Sequence, residues 1–108
     1  DFARTLHTNG NGTDHAWGGN QLVMGGGIDG GKILGDFPLS LASPIDPTNG
    51  NLDLGRGRLI PTTSVDELAA ELAMWFGVDN ASDLELVLPN IGSFYSYNAG
   101  SPPLGLFS

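Results

Sequence analysis

Glycine and proline limit what this chain can fold into more than any other feature of its sequence. Glycine occurs 17 times and proline seven times in 108 residues, and both residues interrupt regular helices and strands. Much of the chain must therefore be loop. Its apolar content of 40% is nevertheless too high for a typical disordered chain. We expect one loop-rich domain with a small core and short regular elements.

The charge of the chain excludes two classes of partner. Twelve acidic and four basic side chains give a net charge of −8, which argues against binding nucleic acid or an anionic membrane surface. No apolar run approaches the ~20 residues that span a bilayer. The chain has no cysteine, so disulfides and thiolate catalysis are excluded as well. The predicted partners therefore include neither nucleic acid nor a membrane.

One helix is well defined by local signals. Ser64 and Glu67 have the spacing of a capping box, in which each side chain accepts from the other residue's amide. Gly77 stands where a C-terminal cap is expected. These signals predict a helix over residues 65–76. Its apolar residues recur at helical spacing and form one stripe: Val65, Leu68, Leu72, Trp75 and Phe76.

The other predicted elements are short. Residues 1–20 read as loop, because the Asn-Gly pairs within them signal turns. Residues 21–24 and 32–34 suit two short strands. The 83–87 segment fits a short helix capped by Ser82, although its alternating leucines also suit a strand. The chain from residue 95 onward is predicted as an extended tail whose aromatic side chains rest on a surface.

A glycine-rich segment over residues 25–30 satisfies the G-x-G-x-x-G pattern of dinucleotide-binding loops. That pattern works only where a helix opens at the loop and points its amides at a pyrophosphate. The residues that follow contain two further glycines and a proline, so no long helix can begin there. We therefore reject a dinucleotide site.

Asp14 and His15 are the first candidate site. A carboxylate and an imidazole are both ligands of divalent metals, and the small residues around this pair permit a tight backbone. On such an irregular loop both side chains could turn toward one ion. The alternative is a turn in which the aspartate side chain bonds its own backbone. His7 is a potential third ligand or an exposed loop histidine. The residues alone leave these alternatives open.

Several other side chains have both a functional and a structural interpretation. Arg56 and Arg58 would suit a clamp on an oxyanion, or they form ion pairs with the many acids. Asn11 and Asn80 begin formal glycosylation sequons, which matter only in a protein secreted by a eukaryote. Tryptophans 17 and 75 are interpreted as core or lid residues.

Taken together, three segments resemble the C-terminal part of the DUF1501 family, which is related to the alkaline phosphatase and sulfatase superfamily. They are "DFARTLHTNGNGTDHAWGGNQLVMGGGIDGGKILGDFP", "GRGRLIPTTSVDELAAELAMWFGV" and "LPNIGSF". The resemblance covers residues 1–94 and leaves 95–108 as a separate tail. It implies an α/β fold class, with this chain as a loop-rich fragment of an alkaline-phosphatase-like domain.

The resemblance also assigns roles to particular residues. In the superfamily, a Thr-Asp-His stretch after a core strand supplies metal ligands, and Thr13-Asp14-His15 matches it. The implied cofactor is zinc or a similar divalent ion. Arg4 matches a Phe-Gly-Arg-Thr segment of the family, although Ala3 replaces the glycine. Arg56 and Arg58 match a Gly-Arg-Gly-Arg segment without an assigned role.

The superfamily's nucleophile and its first metal-binding aspartate have no counterpart in this chain. We therefore expect a piece of a metal-dependent phosphate or sulfate ester hydrolase that is inactive by itself. The alternative is a non-catalytic structural or assembly subunit. Its expected partner is the remainder of a parent chain or copies of itself. The family resemblance implies a periplasmic or extracellular location.

Overall fold

The computed structural model describes residues 2–39, 41 and 52–107. The chain divides into two compact units. The first comprises Asp1–Leu22 with Asp36–Thr62, and the second comprises Val23–Gly35 with Thr63–Ser108. A two-stranded sheet and two α-helices make the fold mixed α/β, which confirms the fold class at that level. The domain limits at residues 94 and 95 stay a prediction.

The first unit is built on a β-hairpin where the sequence predicted only loop. Strand β1 (Ala3–Thr8) pairs antiparallel with β2 (Thr13–Ala16). The two Asn-Gly pairs lie in the connecting turn, as such pairs do in many hairpins. The loop prediction for residues 1–20 was therefore wrong. The turn signals were recognised, but the strands beside them lack the apolar alternation that identifies a half-buried strand.

The hairpin contains a bulge filled by Thr5. Between the Arg4–His15 and Thr8–Thr13 pairs, β1 has three residues and β2 has only Asp14. The Thr5 hydroxyl donates to the carbonyl oxygen of His7 at 2.8 Å and accepts from the amide of Asp14 at 3.2 Å. Thr5 is buried, so this hydroxyl satisfies two backbone groups that the bulge leaves out of the ladder.

A tight turn, residues 53–59, lies against the outer edge of β1. The amide of Leu6 donates to the carbonyl of Gly57, and the amide of His7 donates to that of Arg56. The buried Asp53 carboxylate accepts from the amides of Gly55 and Gly57. The three residues at the tip all have positive φ, and Arg56 does so without being glycine, at +60°. The turn covers an edge of β1 that would otherwise present unpaired backbone groups.

Helix α1 (Val65–Phe76) of the second unit begins and ends as the sequence predicted. Ser64 accepts from the amide of Glu67, whose carboxylate accepts from the amide of Ser64, so the capping box is present. At the other end the amide of Gly77 donates to the carbonyl oxygen of Met74, and the amide of Val78 donates to that of Ala73. This is the pattern of a Schellman motif. These contacts are local, which is why sequence signals were sufficient to locate the helix.

A short helix, α2 (Ala81–Val87), follows at once. Asn80 caps it by accepting from the amide of Asp83. The helical interpretation of residues 83–87 is confirmed, with the start two residues earlier. A 3₁₀ turn (Ile91–Ser93) comes next. The core of the unit consists of Ala70, Leu84 and Ile91, with partly buried side chains around them: Ala73, Val78, Leu88, Tyr95 and Tyr97.

A buried carboxylate holds the end of the chain against α1. Glu71 is 1% exposed, and its two oxygens accept from three consecutive backbone amides. The amides of Leu104 and Gly105 lie 2.6 and 2.9 Å from Oε2, and that of Leu106 donates to Oε1. Burial of a carboxylate is otherwise unfavourable. This glutamate therefore fixes where the tail runs.

The last described aromatic residue also lies on α1. The rings of Phe107 and Trp75 stack with centroids 5.2 Å apart and an interplanar angle of 9°. Ile28 forms an isolated antiparallel β-bridge with Phe107, and the amide of Asp29 donates to the carbonyl oxygen of Leu106. An aromatic of the tail thus rests on a surface, as predicted.

The two short strands predicted from the sequence are absent. Residues 21–24 and 32–34 form no strand, and their apolar side chains are mostly exposed. Three members of the apolar stripe of α1 are largely exposed, namely Val65 at 76%, Trp75 at 62% and Phe76 at 86%. Trp17 and Trp75 are each 62% exposed, so the core interpretation of these residues is wrong and the lid interpretation stays a prediction. In the described part, no helix combines the length and apolar character needed to cross a membrane.

Candidate functional site

Asp14 lies in the middle of the hairpin, and two side chains orient its carboxylate. Asn9 Nδ2 donates to Asp14 Oδ1 at 2.8 Å. Arg56 Nη1 lies 3.5 Å from Asp14 Oδ2, with both side chains about half exposed. An ion pair at this exposure contributes at most about 1 kcal/mol. The pair therefore orients Asp14 more than it stabilises the fold.

His15 lies across the ladder from Arg4 and contacts the ring of Phe2. The centroids of the His15 and Phe2 rings are 4.1 Å apart, and the guanidinium carbon of Arg4 lies 5.3 Å from the centroid of Phe2. Arg4 also donates to the carbonyl oxygen of Thr13 at 2.8 Å. A cation, an imidazole and a benzene ring thus share one face of the hairpin.

The local backbone separates the two predicted metal ligands. Asp14 and His15 are consecutive in β2, and successive strand residues project to opposite faces. They do not lie on the irregular loop that would let both turn toward one ion. The described chain also brings together no group of three or more His, Cys, Asp or Glu side chains suited to a metal. Metal binding by this pair stays a prediction.

The two arginines of the Gly-Arg-Gly-Arg segment have different partners. Arg56 reaches across to Asp14 and also donates to the carbonyl oxygen of Thr8 at 3.3 Å. The Arg58 side chain folds back on its own loop, where Nε donates to the carbonyl oxygen of Gly55 and Nη2 donates to that of Leu54. An oxyanion clamp formed by both guanidinium groups stays a prediction. Of these two arginines, Arg56 is the one that lies beside Asp14.

The sequon asparagines differ in their surroundings. Asn80 is engaged as the cap of α2, and its Nδ2 donates to the carboxylates of Asp79 and Asp83. Asn11 lies exposed in the hairpin turn. Glycosylation at either position stays a prediction.

Sequence reasoning missed two residues that position this site. Thr5 fixes the bulge opposite Asp14, and Asn9 holds the Asp14 carboxylate. The signal for Asn9 was present, because an asparagine before glycine is typical of a hairpin turn. Its bond to Asp14 depends on the register of the strands, which the sequence did not reveal.

The comparison with protein families agrees with the resemblance carried by the sequence. The model described as "Protein of unknown function (DUF1501)" matches residues 1–85. No curated protein and no solved structure matches the chain. The family match spans most of the chain and includes both strands, the 53–59 turn and α1. The chain therefore belongs to the DUF1501 family.

Proposed function

We propose that this chain works packed against further polypeptide, as one part of a metal-dependent ester hydrolase. The observation that carries the first half of this proposal is the imbalance between buried and exposed apolar side chains. In the described residues, four apolar side chains are buried and nineteen large ones are exposed. Met24, Ile33 and Phe76 are each more than 80% exposed.

The position of these exposed side chains carries more weight than their number. Scattered apolar residues are common on protein surfaces, but contiguous patches mark sites of association. Val65, Leu72 and Phe76 lie on one stripe of α1 and are all exposed. Burying side chains of this size stabilises a complex by about 1.5–3 kcal/mol each. Further polypeptide that buries these side chains would therefore add stability beyond what the small core provides.

The second half of the proposal rests on the chemistry of the hairpin. Asp14 and His15 supply a carboxylate oxygen and an imidazole nitrogen, the donor types that zinc accepts. A bound divalent ion would polarise an ester oxygen and stabilise the charge that develops there. Arg56, beside Asp14, presents a guanidinium group of the kind that recognises phosphate or sulfate oxygens.

The donor types fit a divalent ion, but their number and direction do not complete a site. Zinc sites have three or four protein ligands, and strand alternation directs Asp14 and His15 apart. The remaining ligands and the nucleophile would therefore come from further polypeptide, and the backbone of β2 would have to change locally for Asp14 and His15 to reach one ion. In this arrangement Asn9 orients the Asp14 carboxylate, and Phe2 and Arg4 restrict the His15 ring.

The competing proposal is a non-catalytic assembly subunit, in which association is itself the function. The same exposed apolar side chains support it. In that case the Asp14–His15 pair is part of the hairpin and binds nothing. The partner is then a second copy of the chain or another component, and no divalent ion accompanies it.

Two measurements test the proposal. Sedimentation velocity and binding of the dye ANS report on exposed apolar surface, and we expect association or strong dye binding. A monomer that binds no dye would contradict the proposal that the chain packs against further polypeptide. Zinc titration by calorimetry tests the other half. Weak binding should be lost in Asp14→Asn and in His15→Ala, and retained in Glu85→Gln, an exposed carboxylate of α2 outside the hairpin. Equal affinity in all variants would favour the assembly subunit.

A further inference from the structure

The hairpin turn contains two Asn-Gly pairs whose chemical environments differ. In such a pair the glycine amide nitrogen can attack the asparagine Cγ. A bond between that nitrogen and Cγ forms, the Cγ–Nδ2 bond breaks, and ammonia leaves with the proton of the amide. Water then opens the cyclic imide at either carbonyl and leaves aspartate or isoaspartate. The reaction needs an amide nitrogen and an asparagine side chain that are free to meet.

The Asn9–Gly10 pair has every reacting group engaged. Asn9 Nδ2 donates to Asp14, and Asn9 Oδ1 accepts from the amide of Asn11 at 3.0 Å. The amide of Gly10, which would be the nucleophile, donates to the Thr8 hydroxyl at 3.0 Å. Three hydrogen bonds must therefore open before the ring can close.

The Asn11–Gly12 pair has none of these restraints. In the described part of the chain, neither the Asn11 side chain nor the Gly12 amide has a hydrogen-bond partner. Asn11 is exposed, and no atom lies within 4 Å of the position of a Cβ on Gly12. We propose that Asn11 is a site of spontaneous deamidation and that Asn9, two residues away, is protected from it. The third pair, Asn49–Gly50, lies outside the described residues.

The modification would alter the turn in two ways. Isoaspartate adds one carbon to the backbone inside a turn that the Asn9 amide closes on the Gly12 carbonyl at 2.9 Å. Either product also adds a carboxylate to a chain whose net charge is already −8. Conversion removes the amide that the Asn11 sequon would need for glycosylation, so the two modifications exclude one another.

The experiment is a time course of the folded full-length chain in mildly alkaline buffer, with the products located by tandem mass spectrometry. Each hydrogen bond that must open slows the reaction, so Asn11 should convert at least about tenfold faster than Asn9. In urea the two positions should convert at similar rates. This control measures their intrinsic reactivity.

Two variants test the cause. Gly12→Ala should slow conversion of Asn11, because the methyl group hinders attack and the site has room for it. Thr8→Ala frees the Gly10 amide and should accelerate conversion of Asn9. Equal rates at Asn9 and Asn11 in the folded chain would overturn the proposal. So would an Asn11 that stays intact while the chain in urea converts.

Discussion

Replacing Gly57 with alanine should detach the 53–59 turn from β1. A Cβ at position 57 would lie 2.3 Å from Cβ and 2.4 Å from the amide nitrogen of Leu6, far inside van der Waals contact. The backbone at Gly57 has a φ of +76°, which L-residues adopt with difficulty. The substitution is therefore unfavourable both in its conformation and in its contacts.

The magnitude follows from these two effects. The left-handed conformation costs an alanine about 1–2 kcal/mol. Relief of the clash requires β1 and the turn to separate, which breaks the hydrogen bonds from the amides of Leu6 and His7 at about 1 kcal/mol each. We expect a loss of about 3–4 kcal/mol in the free energy of unfolding, a large share of the roughly 5–15 kcal/mol that is typical of native proteins.

Two glycines of the hairpin provide controls for the substitution at Gly57. Gly10 has a φ of +99° with no atom near its Cβ position, so Gly10→Ala isolates the conformational cost of about 1–2 kcal/mol. Gly12 has neither a positive φ nor a close neighbour. Gly12→Ala should therefore be neutral or stabilise by up to about 1 kcal/mol.

Urea denaturation followed by circular dichroism measures the three variants, and amide hydrogen exchange at Leu6 and His7 localises the effect. The predicted order of stability is Gly12→Ala, then Gly10→Ala, then Gly57→Ala. A Gly57→Ala variant no less stable than Gly10→Ala would refute the close approach of the turn to β1. Unchanged exchange at the two β1 amides would refute it equally.

Four other substitutions, one of them paired with a control, test separate features of the structure. Glu71→Gln replaces one acceptor oxygen by a donor opposite the tail amides, and should lower the unfolding free energy by about 2–4 kcal/mol in urea titrations. Ser64→Ala removes the capping box of α1 and should cost about 1 kcal/mol, whereas the exposed Ser82→Ala should change thermal stability little. Thr5→Val leaves two backbone groups of the bulge without their hydroxyl partner, and we expect a loss of about 1–3 kcal/mol by the same assay. Tyr97→Phe removes a hydrogen bond of 2.5 Å to the carbonyl of Asp79, with an expected loss of about 1 kcal/mol in denaturant titration.

The elements that sequence predicted well are those whose causes are local. The limits of α1 depend on Ser64, Glu67 and Gly77, all within one helical turn of the ends they fix. The hairpin was missed because Thr5 is the only buried residue of β1, so no alternating apolar pattern marks the strand. The predicted cap of α2 at Ser82 was wrong, since Asn80 caps the helix.

The candidate site was predictable in its residue types and not in its arrangement. The Thr-Asp-His segment was visible in the sequence, and so was the arginine pair. The approach of Arg56 to Asp14 depends on a turn more than 40 residues away in sequence, held by backbone bonds to β1. Burial of Glu71 was likewise unpredictable, since its partners are main-chain amides 33 to 35 residues later.

The contact between Glu71 and the tail also has a consequence for the order of folding. Before residues 104–106 reach it, α1 has a carboxylate that cannot be buried without a large cost in desolvation. During synthesis the helix can form as soon as its own residues are available, but this side of it must stay hydrated until the chain has grown to Leu106. Docking of the tail is then the event that dehydrates the glutamate and closes a long loop at the same time. Stable packing around Glu71 is therefore a late step, which a growing chain cannot complete in advance.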